Sequence, residues 1–293
     1  MYFVSFVQAE DLSADGIRET IRKSISLIEF NSNKKVDKIV IKPNMCYYFH
    51  PSTGEVTDPR FVGALIDVLR MTFQSNPEIS IVESDASAMK CHYVFKMLRY
   101  DALAREKDVR LVNLCEEKSK QVEMEIAGHS LKFNVPELLL DCDFLVNVPK
   151  IKYMHGVKVT CAMKNIFGCN AVQKKSVYHN TLNEAIVGLN KIMRTSLVVA
   201  DGLVVNYKYT KRLNLVMASE NVVAADAAAS RLLGINPKSV KQLSLASRES
   251  LGELDFVPVG DFDYFKRNFP RKGMKENLFE RGASAYLRLF HRS

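Results

Sequence analysis

The hydrophobic pattern alternates between two periods along most of the chain. Tyr2 to Val7 reads as a strand, and Leu12 to Phe30 has helical spacing, with Ser13 placed to cap it. Lys38 to Ile41 is a short apolar strand that ends at Lys42-Pro43-Asn44. In Thr57-Asp58-Pro59, Asp58 is placed to cap a helix and Pro59 fits its first turn, so a helix is predicted to about Phe73. Glu78 to Val82 gives a strand, Tyr93 to Arg105 a helix, and Val109 to Leu114 another strand. Two alternating runs between Gln121 and Phe133 surround Ala127-Gly128-His129, which predicts a hairpin. Phe144 to Val148 is a fully apolar strand. Later come a helix from Leu182 to about Met193, a strand at Leu197 to Ala200 ending in Asp201-Gly202, and a strand at Leu213 to Ala218. An alanine-rich helix at Val222 to Leu233 stops at Gly234, Pro237 to Ala246 is helical, and Phe256 to Val259 closes the series as a strand.

Repeated strand–helix–strand units predict an α/β fold, a mainly parallel sheet with helices on both faces. Residues 1–260 read as one such unit, with a division into two lobes near 115–150 and a cleft between them left open. Ligands of such sheets sit beyond the C-terminal strand ends. Lys42 and Asn44, Glu83 with Ser84 and Asp85, Asn147 with Lys150, and Asp201 all fall at that kind of place. Asp58 reads as a helix cap, and Asp226, inside the alanine-rich helix, as a structural hydrogen-bonding group.

Composition adds little to the fold but narrows the partners. No apolar run reaches the roughly eighteen residues that span a bilayer, and Met1 to Ala9 lacks a basic leader, so the expected location is the cytoplasm. The six cysteines form no CxxC pair, which favours free thiols. A net charge of +8 favours an anionic partner. No Walker loop, dinucleotide fingerprint, zincin motif or nucleic-acid-binding motif is present, so nucleic acid is not the expected partner.

The charge is concentrated. No Asp or Glu occurs from Phe144 to Asn183, while lysines stand at 150, 152, 158, 164, 174 and 175 and histidines at 155 and 179. A solvated basic face is the plain reading of such a run. Against it, the lysines are interleaved with apolar and small residues, and Lys164 lies beside Met163, Ile166 and Phe167. A lysine with a buried stem loses its proton readily and acts as base or nucleophile. His155 and His179 are candidates to move protons or hold a metal. Asn165, next to Lys164, joins Lys42, Asn44, Lys150 and Asp201 as a candidate substrate-binding residue, and Glu83 joins the acid–base set.

Several of these motifs occur together. Lys42-Pro-Asn44, Thr57-Asp-Pro59, Glu83-Ser84, Asn147-Val-Pro-Lys150, Gly156-Val-x-Val-Thr-x-Ala-Met-Lys164-Asn165-x-Phe-Gly168, Asp201-Gly202 and Ala225-Asp-Ala227 follow in that order. The chain in this respect resembles the family known as domain of unknown function 362, over roughly Lys38 to Gly252. Many members carry a cysteine-rich ferredoxin-type insertion that this sequence lacks, so an iron–sulfur cluster is not implied. The central segment is remotely similar to the nickel-pincer lactate racemase superfamily, in which a His, a Lys and a His follow in that order. The lysine there tethers the cofactor, and the histidines serve as bases or nickel ligand. His155, Lys164 and His179 stand at the corresponding positions, although no glycine pair precedes the lysine here.

The resulting expectation is an enzyme that acts on a small carboxylate or phosphate by lysine and histidine acid–base chemistry, with racemase or epimerase chemistry as its sharpest form. A metal- or iron–sulfur-linked redox accessory is the alternative, and a nucleic-acid-binding module the second. The cofactor stays open, a divalent metal included. Residues 261–293 carry eight Lys or Arg and four Asp or Glu among interleaved aromatics. This basic amphipathic extension is expected to pack on the body or on a second copy; contact with a membrane surface is the alternative.

Overall fold

A computed structural model describes residues 1–31, 35–172 and 174–270. In chain order the elements are β1 (Tyr2–Gln8), α1 (Ala14–Leu27), β2 (Lys38–Pro43), α2 (Pro59–Thr72), β3 (Glu78–Glu83), α3 (Cys91–Met97), α4 (Tyr100–Glu106) and β4 (Arg110–Asn113). They continue with β5 (Ser119–Ile126), β6 (His129–Pro136), α5 (Glu137–Leu140), β7 (Phe144–Val148), β8 (Lys150–Met154), β9 (Lys158–Thr160), α6 (Ala162–Phe167) and α7 (Leu182–Ile192). The chain then forms β10 (Leu197–Asn206), β11 (Thr210–Ser219), α8 (Val222–Leu232), α9 (Lys241–Arg248), β12 (Phe256–Gly260) and α10 (Phe262–Asn268).

One sheet runs through the molecule in the order β12-β1-β11-β10-β7-β2-β3-β4, with β8 and β9 continuing beside β10. Pairing is parallel at β12·β1, β10·β7, β7·β2, β2·β3 and β3·β4, and antiparallel where β11 meets β1 and β10. Period-two alternation splits the strand residues between two cores. Ile39, Ile41, Ile79 and Ile81 pack with Ile17 and Ile21 of α1 and Phe61 and Leu65 of α2. Val40, Val82 and Leu145 face the other way, against Met163 and Ile166 of α6, Ile186 of α7 and the alanines of α8. The hairpin β5–β6 forms a separate two-stranded sheet whose Ile126 and Phe133 join this second core. The fold is therefore α/β with a mostly parallel sheet covered on both faces.

The caps fall where expected: Ser13 accepts from Gly16 N, and Asp58 accepts from Arg60 N at 2.9 Å. Two expectations need correction. The helix predicted from Tyr93 to Arg105 is two helices, because Arg99 adopts a left-handed φ of 62° between them. The strand predicted to end before Asp201 continues to Asn206. Pro149 separates β7 from β8, and β10 runs beside both: Val198 pairs with Asn147, and Asp201 with Lys150. Asp201 therefore lies inside β10, next to a register shift between Gly202 and Val204, and its Oδ1 accepts from Leu203 N at 3.0 Å. Of the C-terminal extension, α10 packs through buried Phe265 and through Phe262 against Phe6, ring centroids 4.8 Å apart. Residues 271–293 of that extension lie outside the described residues.

Candidate functional site

The centre of the site lies where β2, β3 and β7 end side by side. Lys42 and Asn147 are register partners, and Glu83 is the last residue of its strand. Lys42 is buried and donates from Nζ to Glu83 Oε2 at 2.7 Å and to the Pro43 carbonyl at 2.5 Å. Glu83 Oε2 also accepts from Met45 N at 3.2 Å, which fixes the start of the loop after β2. Gly168 stands over this pair. A Cβ there would lie in ordinary contact with Lys42 Cε and Glu83 Oε1 but only 2.9 Å from the Asn165 carbonyl oxygen, so it is the turn at the end of α6 that requires the glycine.

Asn165 of α6 ties the helix to the strands. Its Nδ2 donates to Asn147 Oδ1 at 2.8 Å and to the Lys42 carbonyl at 3.0 Å, and its Oδ1 accepts from Asn44 Nδ2 at 3.2 Å. Asn147 in turn donates to the Ala162 carbonyl at 2.9 Å. Asp226 of α8 accepts from Ala162 N at 2.6 Å and from Met163 N, and so holds the first turn of α6 from the other side. Burial pushes the Asp226 carboxyl up to about 7 against those hydrogen bonds.

Lys150 and Asp201 form a second buried pair, 3.1 Å apart, and Asp201 Oδ2 accepts from Asp58 N at the start of α2. Burial draws Lys150 below its ordinary range even with that carboxylate beside it. Lys152, one pleat further along β8, reaches Asn44 Oδ1 at 3.0 Å, Cys46 Sγ at 3.0 Å, the Glu55 carbonyl at 2.8 Å and its carboxylate at 3.3 Å. Lys175 donates to Ser84 Oγ at 2.8 Å and to the Asp85 carbonyl at 3.0 Å. Burial lowers its pKa as well.

Lys164 stands apart from these paired groups. It is half-buried on α6 with its ammonium 4.5 Å from the centre of the Phe167 ring. Among the described residues no carboxylate or carbonyl accepts from it. Burial first, then the charges of Lys152, Lys175 and Lys42, bring it down from 10.5 to about 8. Lys164 forms no ion pair with Asp226, whose carboxylate is taken up by the backbone of α6.

The candidates thus divide. Lys42, Asn44, Glu83 and Asn165 are in direct contact, Lys164 immediately precedes Asn165 on the same helix, and Lys150 with Asp201 forms the adjoining pair. His155 is exposed in the turn between β8 and β9, and His179 is exposed in a 3-10 segment before α7. Neither is hydrogen-bonded to the Lys42–Glu83 cluster. Glu55 carried no signal in the sequence, since it lies in an irregular loop. Lys152 and Lys175 stood out only as members of the lysine run, although the i, i+2 spacing of Lys150 and Lys152 places both on one face of a strand. Among the described residues no three His, Cys, Asp or Glu side chains are grouped as a metal centre requires. The carboxylates of the site are already taken up by lysines, and the Lys164 ammonium that remains suits an anion.

This arrangement of motif residues has a family. The chain belongs to the one described as Domain of unknown function (DUF362), which matches residues 39–231. A thylakoid-associated protein of Synechocystis sp. is 22% identical over 267 residues, which cover 85% of this chain and 79% of that protein. Among solved structures, the lactate racemase apoprotein of Thermoanaerobacterium thermosaccharolyticum superposes with a TM-score of 0.46 at 13% identity, over 74% of this chain and 54% of that one. A Thermotoga maritima protein gives 0.45 at 13% identity, over 83% and 60%. The chain thus spans just over half the length of these two structures. Among the described residues no helix is long and apolar enough to cross a membrane.

Proposed function

We propose that the protein is an enzyme acting on a small carboxylate or phosphate, with Lys164 as its acid–base group. The observation that carries this reading is the charge imbalance around Lys164. Lys42, Lys152, Lys164 and Lys175 face Glu83 and Glu55, and among the described residues Lys164 is left without a counter-charge. Ammonium groups held in excess inside a low-dielectric wall are preorganised for an anion, because their mutual repulsion is already present before the ligand arrives.

Lys42 and Asn165 have their donors taken up by Glu83, the Pro43 carbonyl, Asn147 and the strand ends, so they fix the floor of the site and its field without reorganising, and the Lys164 ammonium is the group left to meet the anion. Lys164, near 8, exchanges its proton at neutral pH with little driving force either way, which is what a general base needs. With the carboxylate of a substrate shared among the surrounding lysines, the fraction of Lys164 that is neutral beside the bound anion removes the proton on the adjacent carbon. Return of the proton to the same carbon gives exchange, and to its opposite face racemisation or epimerisation. The remote resemblance of the central segment to racemases supports the class of reaction, although there the histidines and not the lysine serve as bases.

The test is solvent exchange. Chiral 2-hydroxy and 2-amino acids are incubated with the protein in D2O, and loss of the α-proton signal is followed by NMR. Exchange with the parent protein and none with Lys164→Met is the expected result. Exchange that persists in Lys164→Met removes the lysine from the chemistry. A full panel without exchange or calorimetric binding removes the anion site.

A further inference from the structure

We infer that the substrate carries an apolar, planar arm, which lies on a rim of exposed aromatic side chains around the lysine cluster. The inference rests on the anion site proposed above and extends it to the rest of the ligand.

Three connections at the carboxyl ends of the strands are fastened to one another beside Lys152. The loop after β2 supplies Asn44, Cys46 and Glu55, all in contact with the Lys152 ammonium. The β8–β9 hairpin carries Lys152 itself, which is in register with Asn206 of β10. The β10–β11 hairpin closes the ring: Asn206 Nδ2 donates to Glu55 Oε1 at 2.7 Å, and Thr210 Oγ1 donates to the Thr53 carbonyl at 3.4 Å. Gly54, with a φ of +74°, lies so close to β10 that an added Cβ would meet the Val205 carbonyl carbon at 2.8 Å. The loop is therefore clamped down, not free.

On this clamped rim large apolar side chains face solvent. Tyr47 is 52% exposed, Phe49 45%, Tyr153 38%, Met154 40% and Tyr209 55%. Tyr47 and Phe49 meet edge to face with centroids 6.0 Å apart, and Tyr153 lies against Tyr207 at 5.1 Å. Burial in the fold does not account for them, since each stays open to water. Aromatic faces stack on planar or apolar groups, and a cationic centre beside them completes a surface for an amphiphilic anion. The occupant is a single molecule with an anionic head and an apolar arm, because the lysines that match its charge are recessed behind the rim and not spread across a flat face.

Calorimetric titration with paired anions tests this. The pairs are phenyl phosphate with methyl phosphate and phenylacetate with acetate. The expected result is binding of the aryl member on the order of tenfold tighter. Tyr47→Ala and Tyr153→Ala should cut that preference to about threefold or less while methyl phosphate affinity is unchanged, with melting temperature confirming the fold. Equal affinity within each pair overturns the rim assignment and leaves the anion site standing. No binding by any of the four, together with no effect of Lys164→Met, overturns the anion site and the inference with it. Binding to vesicles of phosphatidylglycerol, with none to phenyl phosphate, also overturns it and makes the rim a bilayer contact.

Discussion

At the scale of single residues, Lys164 is held in a state that the fold disfavours. Its folded pKa, about 8, lies below the unfolded value near 10.5. Below pH 8 both states carry the proton and the folded state bears the full penalty. Between pH 8 and about 10.5 the unfolded chain binds more protons, so stability rises with pH across that window. Lys164→Met keeps most of the stem and removes the charge, and at pH 7 it should stabilise the protein by roughly 1–3 kcal/mol while abolishing activity. Thermal melting of both proteins at pH 7 and pH 10 checks this: the gap between them should shrink at the higher pH. A variant that melts lower than its parent at pH 7 makes the lysine structural. Anion binding acts in the opposite sense and restores the proton, so ligand affinity should fall as pH rises through 8, with proton uptake visible as a dependence of calorimetric heat on the buffer.

At the scale of elements, α6 is short, only Ala162–Phe167, and is placed by its ends and not by its own propensity. Asp226 holds its first turn, and Asn165 holds it to β2 and β7. The folded Asp226 carboxyl, about 7, lies above its ordinary 3.8. Between pH 4 and 7 the unfolded chain ionises first, so this group's contribution falls as pH rises and is fully lost above 7. Asp226→Asn keeps an acceptor for the two N–H groups and cannot ionise. Compared with the parent, it should lose up to roughly 4 kcal/mol less stability from pH 4 to pH 7, measured by denaturant unfolding. Parallel pH curves for the two proteins would show that this carboxylate carries no such burden. Most other elements were legible in the sequence, because their apolar residues repeat with one clear period and end at Pro, Gly or a capping side chain. Val40 between Ile39 and Ile41 is such a case: a strand buried on both faces reads as an unbroken apolar run. Arg99 gave no warning, since a left-handed turn at a non-glycine residue is imposed by packing and not by chemistry. The short strands β8 and β9 and helix α6 were hidden for a related reason: their pairing is set by the path of β10. The site followed the same division. Lys42, Glu83, Asn147 and Lys150 could be found because they sit at or just beyond strand ends, whereas Glu55 depends on a loop fold that no local pattern encodes.

At the scale of the whole molecule, the formal charge of +8 and the recessed lysines act together as a field. Its reach is the Debye length, about 30 Å in 0.01 M salt and 10 Å in 0.1 M. Association with a small dianion should therefore slow several-fold over that change in salt, while dissociation, governed by short contacts, changes little. Stopped-flow mixing with a fluorescent aryl phosphate separates the two rates, and a salt-insensitive association would show that the field does not guide the ligand. The sheet has a further consequence, which concerns time. β1 lies between β11 and β12, with Ser5 against Ala218 and Tyr2 against Phe256. On a ribosome adding about 5–20 residues each second, the first strand waits some 10–40 s for its earliest neighbour to be made. Throughout that interval Val4 and Phe6, fully buried in the finished protein, have nothing of their own sheet to cover them. The order of synthesis thus makes β1, although made before its neighbours, one of the last strands to find its place, and a newborn chain of this protein depends on whatever shelters an apolar strand until β11 arrives.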